Sequence, residues 1–252
     1  MKEFFKKCLI VLLLAGFLAG CGSGGDLVAD LVPNPNDDTP PTVLSTVPAD
    51  NATDVANNRK IIATFDEAMN RDKMTDTGTF TLIGPGGPVA GAVTYSVINK
   101  IAIFTPSVPL AAGLHTATIS TAARDVSGNE LALPKIWSFT AGDFSDVTRP
   151  EVSLTSPADH ETDVNSDTDI NVIFTEVMDP ATINMTTFTL ETSGGPIPLS
   201  GLVTCTGMQA TFNPSINLVP GIAYIARVTI EAADLAGNTL LFEKEWSFVV
   251  GN

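Results

Sequence analysis

Residues 61–70, IIATFDEAMN, return 109 residues later as residues 170–179, INVIFTEVMD. The similarity continues along the chain, with one residue lost midway, as in the pairs Phe104 and Phe212, Asp125 and Asp234, Gly128 and Gly237, and Trp137 and Trp246. A repeat of this length is about the size of one β-sandwich, so two copies of a single fold are predicted. We place the domains at residues 40–142 and 149–252, joined by a short linker at 143–148.

Each repeat shows the alternation of apolar side chains that indicates strands with one buried face. In the second repeat Ile170, Val172 and Phe174 share one face, and the same three positions of the first repeat are also apolar. The 20 glycines and 17 prolines are spread between short apolar runs, as turns between many strands require. We therefore predict an all-β chain of two tandem immunoglobulin-like Greek-key sandwiches, with about seven strands in each.

Several short motifs recur in both repeats and carry a resemblance to a known family. They are Pro48-Ala49-Asp50, Phe65-Asp66-Glu67-Ala68-Met69-Asn70, the Asp125–Asn129 segment and Trp137-Ser138-Phe139, with counterparts that begin at Pro157, Phe174, Asp234 and Trp246. On these motifs each repeat resembles the SbsA-type bacterial Ig-like domain, a module of surface-layer and other exported bacterial proteins. The resemblance implies a role as a spacer, an adhesive surface or an assembly part.

Two positions depart from the pattern of that family. Its usual proline is replaced by Ala68 and Val177, and a common tyrosine is present as Tyr224 but is Thr116 in the first repeat. Tyr224 follows a Leu-Val-Pro-Gly segment and is predicted to form a tyrosine corner, in which its hydroxyl bonds to nearby backbone. We therefore predict that the first domain is the less stable of the two.

The first 20 residues have the features of a cleaved export signal. Three lysines precede an apolar run of ten residues, Leu9–Leu18, which is too short to span a bilayer. The following Leu18-Ala19-Gly20-Cys21 resembles the lipobox of bacterial lipoproteins, which implies cleavage after Gly20 and lipid attachment to Cys21. Residues 21–39 then form a predicted flexible tether, and the resemblance implies that Gly22 favours sorting to the outer membrane.

The charge of the exported protein limits its partners. The whole chain has 13 basic and 28 acidic residues, and loss of the signal removes three lysines and one glutamate, which takes the net charge from −15 to about −17. Nucleic acid is therefore not an expected partner, because phosphate binding needs clustered lysine and arginine. The expected partners are the membrane, through the lipid on Cys21, and an unidentified protein or glycan.

One oxygen-rich stretch suggests a calcium site. Asp163, Asn165, Asp167 and Asp169 alternate as the first ligands of some calcium loops do, but the glycine and glutamate that complete an EF-hand are absent. A solvated turn leading into a strand explains the same residues. No cofactor is therefore expected, with calcium kept as an alternative. The Asp125 and Asp234 motifs are interpreted as tight turns, and the repeated Glu67 and Glu176 as fold or surface residues.

No residue is assigned a catalytic role. His115 and His160 hold unrelated positions with no second metal ligand at a suitable spacing. Cys205 falls on a predicted strand and is interpreted as a small buried apolar residue. Trp137 and Trp246 repeat and alternate with phenylalanine, so they are predicted to be core residues and not a sugar-stacking platform.

These features together predict a non-enzymatic cell-envelope lipoprotein whose Ig-like domains serve as structural, spacer or adhesion modules. The alternative is a ligand-binding lipoprotein, for carbohydrate or for calcium-dependent adhesion.

Overall fold

The computed structural model describes residues 33–195 and 198–252, which form two β-sandwich domains in tandem. Each domain contains two sheets that face each other across an apolar core. The predicted all-β fold of two Ig-like sandwiches is thus confirmed. No helix in these two ranges is both long and apolar enough to cross a membrane.

Within the described residues, the first domain has nine strands and one short helix. The strands are β1 (Val43–Val47), β2 (Ala52–Val55), β3 (Ile61–Phe65), β4 (Phe80–Gly84), β5 (Gly87–Pro88), β6 (Gly91–Ser96), β7 (Ile101–Pro106), β8 (Gly113–Ile119) and β9 (Lys135–Ala141), with helix α1 (Arg71–Thr75) between β3 and β4. One sheet has the order β1-β3-β7-β6 and the other β2-β9-β8-β4-β5. Neighbouring strands are antiparallel except β2 and β9, which are parallel.

The second domain repeats this arrangement. Its strands are β10 (Val152–Ser156), β11 (Glu161–Val164), β12 (Ile170–Phe174), β13 (Phe188–Thr192), β14 (Gly201–Thr206), β15 (Gln209–Pro214), β16 (Ala223–Val228) and β17 (Lys244–Val250). The sheets have the orders β10-β12-β15-β14 and β11-β17-β16-β13. Each domain has more strands than the seven predicted from the sequence, because short strands such as β2 and β11 were not predicted. Each of these two has four mostly exposed residues without apolar alternation.

The aromatic residues shared by the two repeats form the centre of each core. Trp137 packs against Phe80 with ring centroids 5.7 Å apart, and Trp246 packs against Phe188 at 6.0 Å. Both tryptophans are almost completely buried, at 1% and 2% exposure. The prediction that they are core residues is therefore confirmed, and neither ring is available to stack on a sugar.

Strand pairing corrects the predicted counterpart of Tyr224. Tyr224 on β16 lies opposite Phe248 on β17, whereas the residue opposite the equivalent Phe139 on β9 is His115 and not Thr116. The spacing between equivalent residues of the two repeats falls from 109 to 108 midway and has returned to 109 where β8 pairs with β9. The sequence prediction applied the 108-residue spacing to β8 and therefore chose Thr116 instead of His115.

Candidate functional site

Cys21, the predicted lipid attachment site, lies outside the described residues. Cys205 lies on β14, where its side chain is 1% exposed within the core of the second domain. Burial raises the pKa of its thiol to about 12, so the reactive thiolate is not formed at neutral pH. The interpretation of Cys205 as a buried apolar residue is confirmed.

Three carboxylates gather at one end of the first domain, and we call them the first trio: Asp37, Glu67 and Asp125. One carboxylate oxygen from each residue lies within 4.8 Å of the others. Asp125 is fully buried and accepts hydrogen bonds from the N–H groups of Gly128 and Asn129 at 2.5 and 2.8 Å. This geometry confirms the interpretation of the Asp125 motif as a tight turn, because the carboxylate closes its own loop.

The first trio also holds the chain that precedes the domain. Asp37 belongs to the predicted tether, and its backbone oxygen accepts a hydrogen bond from Nδ2 of Asn129 at 2.9 Å. The N–H of Asn34 donates to Oγ of Ser127 at 3.2 Å in the same loop. The last part of the tether is therefore bound to the domain surface.

A second trio, Asp146, Glu176 and Asp234, is built in the same way in the second domain. Asp146 belongs to the linker, and its backbone oxygen accepts from Nδ2 of Asn238 at 3.2 Å. Asp234 is fully buried and accepts from the N–H groups of Ala236 and Asn238, each at 2.8 Å. Oε1 of Glu176 is buried and has no hydrogen-bond partner among the described residues.

The glutamate of each trio has a raised pKa. Burial, and then the negative charges of Asp125 and Asp37, raise the pKa of Glu67 from 4.5 to about 7. Burial, and then the charges of Asp146 and Asp234, also raise the pKa of Glu176. The first trio can therefore retain a proton near neutral pH, and both trios offer the carboxylate oxygens that a hard divalent cation such as Ca²⁺ prefers.

Sequence reasoning found two members of each trio separately and missed their convergence. Asp37 and Asp146 stand 109 residues apart, as do Glu67 and Glu176. The common spacing was the available signal. It was overlooked because Asp37 and Asp146 lie in segments that were interpreted as tether and linker.

The stretch that suggested calcium binding does not form such a cluster. In the ranges that the structure describes, the groups of three converging carboxylates are the two trios, and neither includes Asp163, Asp167 or Asp169. Asp163 and Asp167 are exposed, and Asp163 has a positive φ of 59° at the end of β11. The residues form the turn into β12, as the structural interpretation expected.

The second domain brings a serine, a histidine and an aspartate together, but not in a catalytic order. Oγ of Ser247 lies 3.0 Å from Nδ1 of His160, and the carboxylate of Asp159 lies 3.7 Å from the same nitrogen. A catalytic triad needs the serine and the carboxylate on opposite ring nitrogens, so that the imidazole can pass a proton between them. His115 is buried in the other domain, so the two histidines do not form a common site.

Three solved structures share low sequence identity with this chain. The chain is similar to CopC from Methylosinus trichosporium OB3b, with 17% identity over 41% of this chain and 94% of that chain, at a TM-score of 0.33. It is similar to PcoC, a methionine rich copper resistance protein from Escherichia coli, with 24% identity over 41% and 100% and a TM-score of 0.33. It is also similar to the N-terminal part of the bacterial S-layer protein SbsC, with 13% identity over 83% of this chain and 44% of that chain, again at 0.33.

No curated protein matches the sequence. The sequence pattern of the bacterial Ig-like domain matches twice, at residues 37–141 and 146–250. Each match contains one trio and one complete sandwich. Because the two matches cover most of the chain, the protein belongs to the bacterial Ig-like domain family and carries two copies of its domain.

Proposed function

We propose that the protein is a lipid-anchored, non-enzymatic module of the bacterial cell envelope. In this proposal the two Ig-like domains hold a binding surface or a partner at a distance from the membrane. The observation that carries it is that the two family matches account for residues 37–250 apart from a four-residue gap. Residues 37–250 therefore form a pair of domains from a family of structural and surface modules, and the proposed anchor precedes them.

The anchor rests on the sequence that precedes the domains. Lysines, an apolar run of ten residues and Leu18-Ala19-Gly20-Cys21 support export followed by lipid attachment to Cys21. Attachment through two or three acyl chains would be stable, since each buried CH₂ contributes about 0.8 kcal/mol. Gly22 supports the outer membrane as the destination. The motifs of both repeats support the SbsA-type branch of the family.

A structural role is supported by what the shared polar residues do. Asp125 and Asp234 close their own loops, and the tryptophans are buried. The three groups Asp159, His160 and Ser247 lack the order that proton transfer requires. The polar residues shared by the repeats therefore maintain the domains, as expected of a spacer or scaffold.

Replacement of Cys21 tests the anchor, and protease treatment of intact cells tests the location. Cys21→Ala should abolish incorporation of labelled fatty acid into the protein, whereas Cys205→Ala, at the other cysteine of the mature chain, should leave the labelling unchanged. Digestion of the wild type on unbroken cells would support a surface adhesin, and protection until the envelope is opened would support a periplasmic scaffold. A Cys21→Ala protein that is still labelled with fatty acid would overturn the proposed anchor.

Calcium titration distinguishes the alternative of calcium-dependent adhesion. Heat of binding and a higher melting temperature that are both lost when Asp125→Asn and Asp234→Asn are combined would favour that alternative. Absence of heat and an unchanged melting temperature would rule out calcium-dependent adhesion and leave the spacer function as proposed. A glycan array tests the carbohydrate version in the same way.

A further inference from the structure

Two strands of the first domain are buried on both faces. In β3 and β7 the residues Ala63 and Phe104 point into the core, while Ile62, Ile101 and Ile103 point out of the sandwich. These three isoleucines are nevertheless only 2–4% exposed. They are covered by Leu235 of the second domain, which is fully buried against them. Apolar outer positions on a sheet normally signal a covering layer, and here that layer is the neighbouring domain.

Polar contacts surround this apolar contact. The N–H of Lys60 donates to the backbone oxygen of Leu235 at 3.0 Å, and the ammonium of Lys60 forms an ion pair with Asp179, whose side chain is 1% exposed. On the other side, the N–H of Cys205 donates to Oδ1 of Asn99 at 3.0 Å. An apolar centre with hydrogen bonds around it is the usual organisation of a specific interface.

The linker is held by the turn between β2 and β3. The side chain of Asn58 donates to the backbone oxygen of Asp146 and accepts from its N–H, each at 2.9 Å. The N–H of Asn57 donates to the backbone oxygen of Phe144 at 2.9 Å. These bonds fix the direction in which the chain leaves the first domain.

The second domain has no such receiving face. Asn171, Gln209 and Thr211 occupy the positions of the three isoleucines. They are joined by hydrogen bonds, at 3.0 Å from Gln209 and 2.7 Å from Thr211, both to Oδ1 of Asn171. Asp169 stands where the first domain has Lys60, so the charge that pairs with Asp179 is also reversed.

We propose that the outer face of β3 and β7 is a dedicated docking surface for the Asp234–Asn238 loop of the second domain, and that it joins the two domains into one rigid, directional unit. The second domain presents a polar, acidic surface at the corresponding place. A second copy of this chain therefore cannot dock there in the same manner, so the junction does not extend from one copy to the next. This proposal rests on the fold and does not depend on the lipid at Cys21.

The test transfers the polar residues of the second domain to the first. The variant Ile62→Asn, Ile101→Gln and Ile103→Thr carries, at each position, the residue with which the second domain folds. The wild-type and triple-variant proteins are both produced without residues 1–20 and with Cys21→Ala, so that neither carries the signal or the lipid. A protease that cleaves beside large apolar residues should cut the linker, at Phe144 or Val147, on the order of tenfold to hundredfold faster in the variant, because burial of one leucine is worth at least a factor of ten. Small-angle scattering should change from one fixed shape to a broad distribution of interdomain distances.

A second pair of variants protects the test against misfolding. Leu235→Ser alters only the inserting loop, and Val126→Ser changes the corresponding loop residue of the first domain, which does not enter the junction. Leu235→Ser should reproduce the faster cleavage and Val126→Ser should not. Unchanged cleavage and scattering in both the triple variant and Leu235→Ser would overturn the rigid junction.

Discussion

His115 occupies in the first domain the position that Tyr224 occupies in the second. The imidazole stacks on Phe139 with ring centroids 5.4 Å apart and an angle of 10°, and the phenol stacks on Phe248 at 5.8 Å and 22°. The tyrosine hydroxyl accepts a hydrogen bond from the N–H of Val219 at 2.8 Å, which confirms the predicted tyrosine corner. Nε2 of His115 is buried and has no partner among the described residues. The first domain thus lacks the bond that ties the corner of the second, and Nδ1 of His115 instead lies 3.0 Å from the backbone oxygen of Gly113.

Tyr224→Phe should destabilise the second domain. The variant keeps the ring stack and loses the acceptor of the Val219 N–H, so the free energy of unfolding should fall by about 1 kcal/mol. His115→Phe is the matched variant, and it should change the stability of the first domain by less, because loss of the unpaired buried Nε2 and loss of the 3.0 Å contact between Nδ1 and the backbone oxygen of Gly113 act in opposite directions. Denaturant unfolding of the three proteins measures both effects. Equal stability of Tyr224→Phe and wild type would contradict the structural role of the corner.

Gly84→Ala should destabilise the first domain through the same histidine. A Cβ at residue 84 would lie 2.7 Å from Nε2 of His115, and the stack on Phe139 prevents the ring from turning away. Such overpacking costs about 1–3 kcal/mol. Gly86→Ala, two residues further into the turn, meets no atom within 4 Å and should change stability by less than about 0.5 kcal/mol. The denaturation midpoints of the two variants should therefore separate clearly, and coincident midpoints would show that the ring can move.

Tyr95→Phe should weaken a bond that the second domain makes differently. The N–H of Met69 donates to the Tyr95 hydroxyl at 2.7 Å in the buried interior, whereas the equivalent N–H of Met178 donates to the backbone oxygen of Gly207 at 3.0 Å. Loss of the hydroxyl leaves a buried donor without a partner, which costs about 1–3 kcal/mol. Hydrogen exchange should accelerate at the Met69 amide and stay unchanged at the Met178 amide. Equal protection of both amides in the variant would contradict this assignment.

The sequence was sufficient to predict the architecture because the repeat and the alternation of apolar residues are local signals. Phe65, Trp137 and their counterparts could be assigned to the cores from their positions alone. The junction was missed although it also left a signal: Ile61-Ile62-Ala63 and Ile101-Ala102-Ile103-Phe104 are uninterrupted apolar runs. Such runs predict strands that are covered on both faces.

The candidate site was harder to predict because its parts are distant in the sequence. Asp37 and Asp125 meet only after the sandwich has closed and the preceding chain has folded back onto the Asp125 loop. The counterpart of Tyr224 was misassigned for a related reason. A repeat alignment does not show where a lost residue is regained, whereas the pairing of β8 with β9 does.

The first domain should lose stability as the pH rises, and Glu67→Gln should remove much of that loss. Burial and the charges of Asp125 and Asp37 raise the pKa of Glu67 to about 7, so the folded domain binds this proton more tightly than the unfolded chain does. The resulting stabilisation is complete below about pH 4.5 and disappears as the pH rises through about 7. Denaturant unfolding between about pH 5 and pH 8 should therefore show the wild type falling relative to Glu67→Gln, which does not titrate. Glu231→Gln removes an exposed carboxylate elsewhere and controls for the change in net charge. If the curves of wild type and Glu67→Gln run parallel over this range, the first trio does not hold a proton on Glu67 in the folded protein.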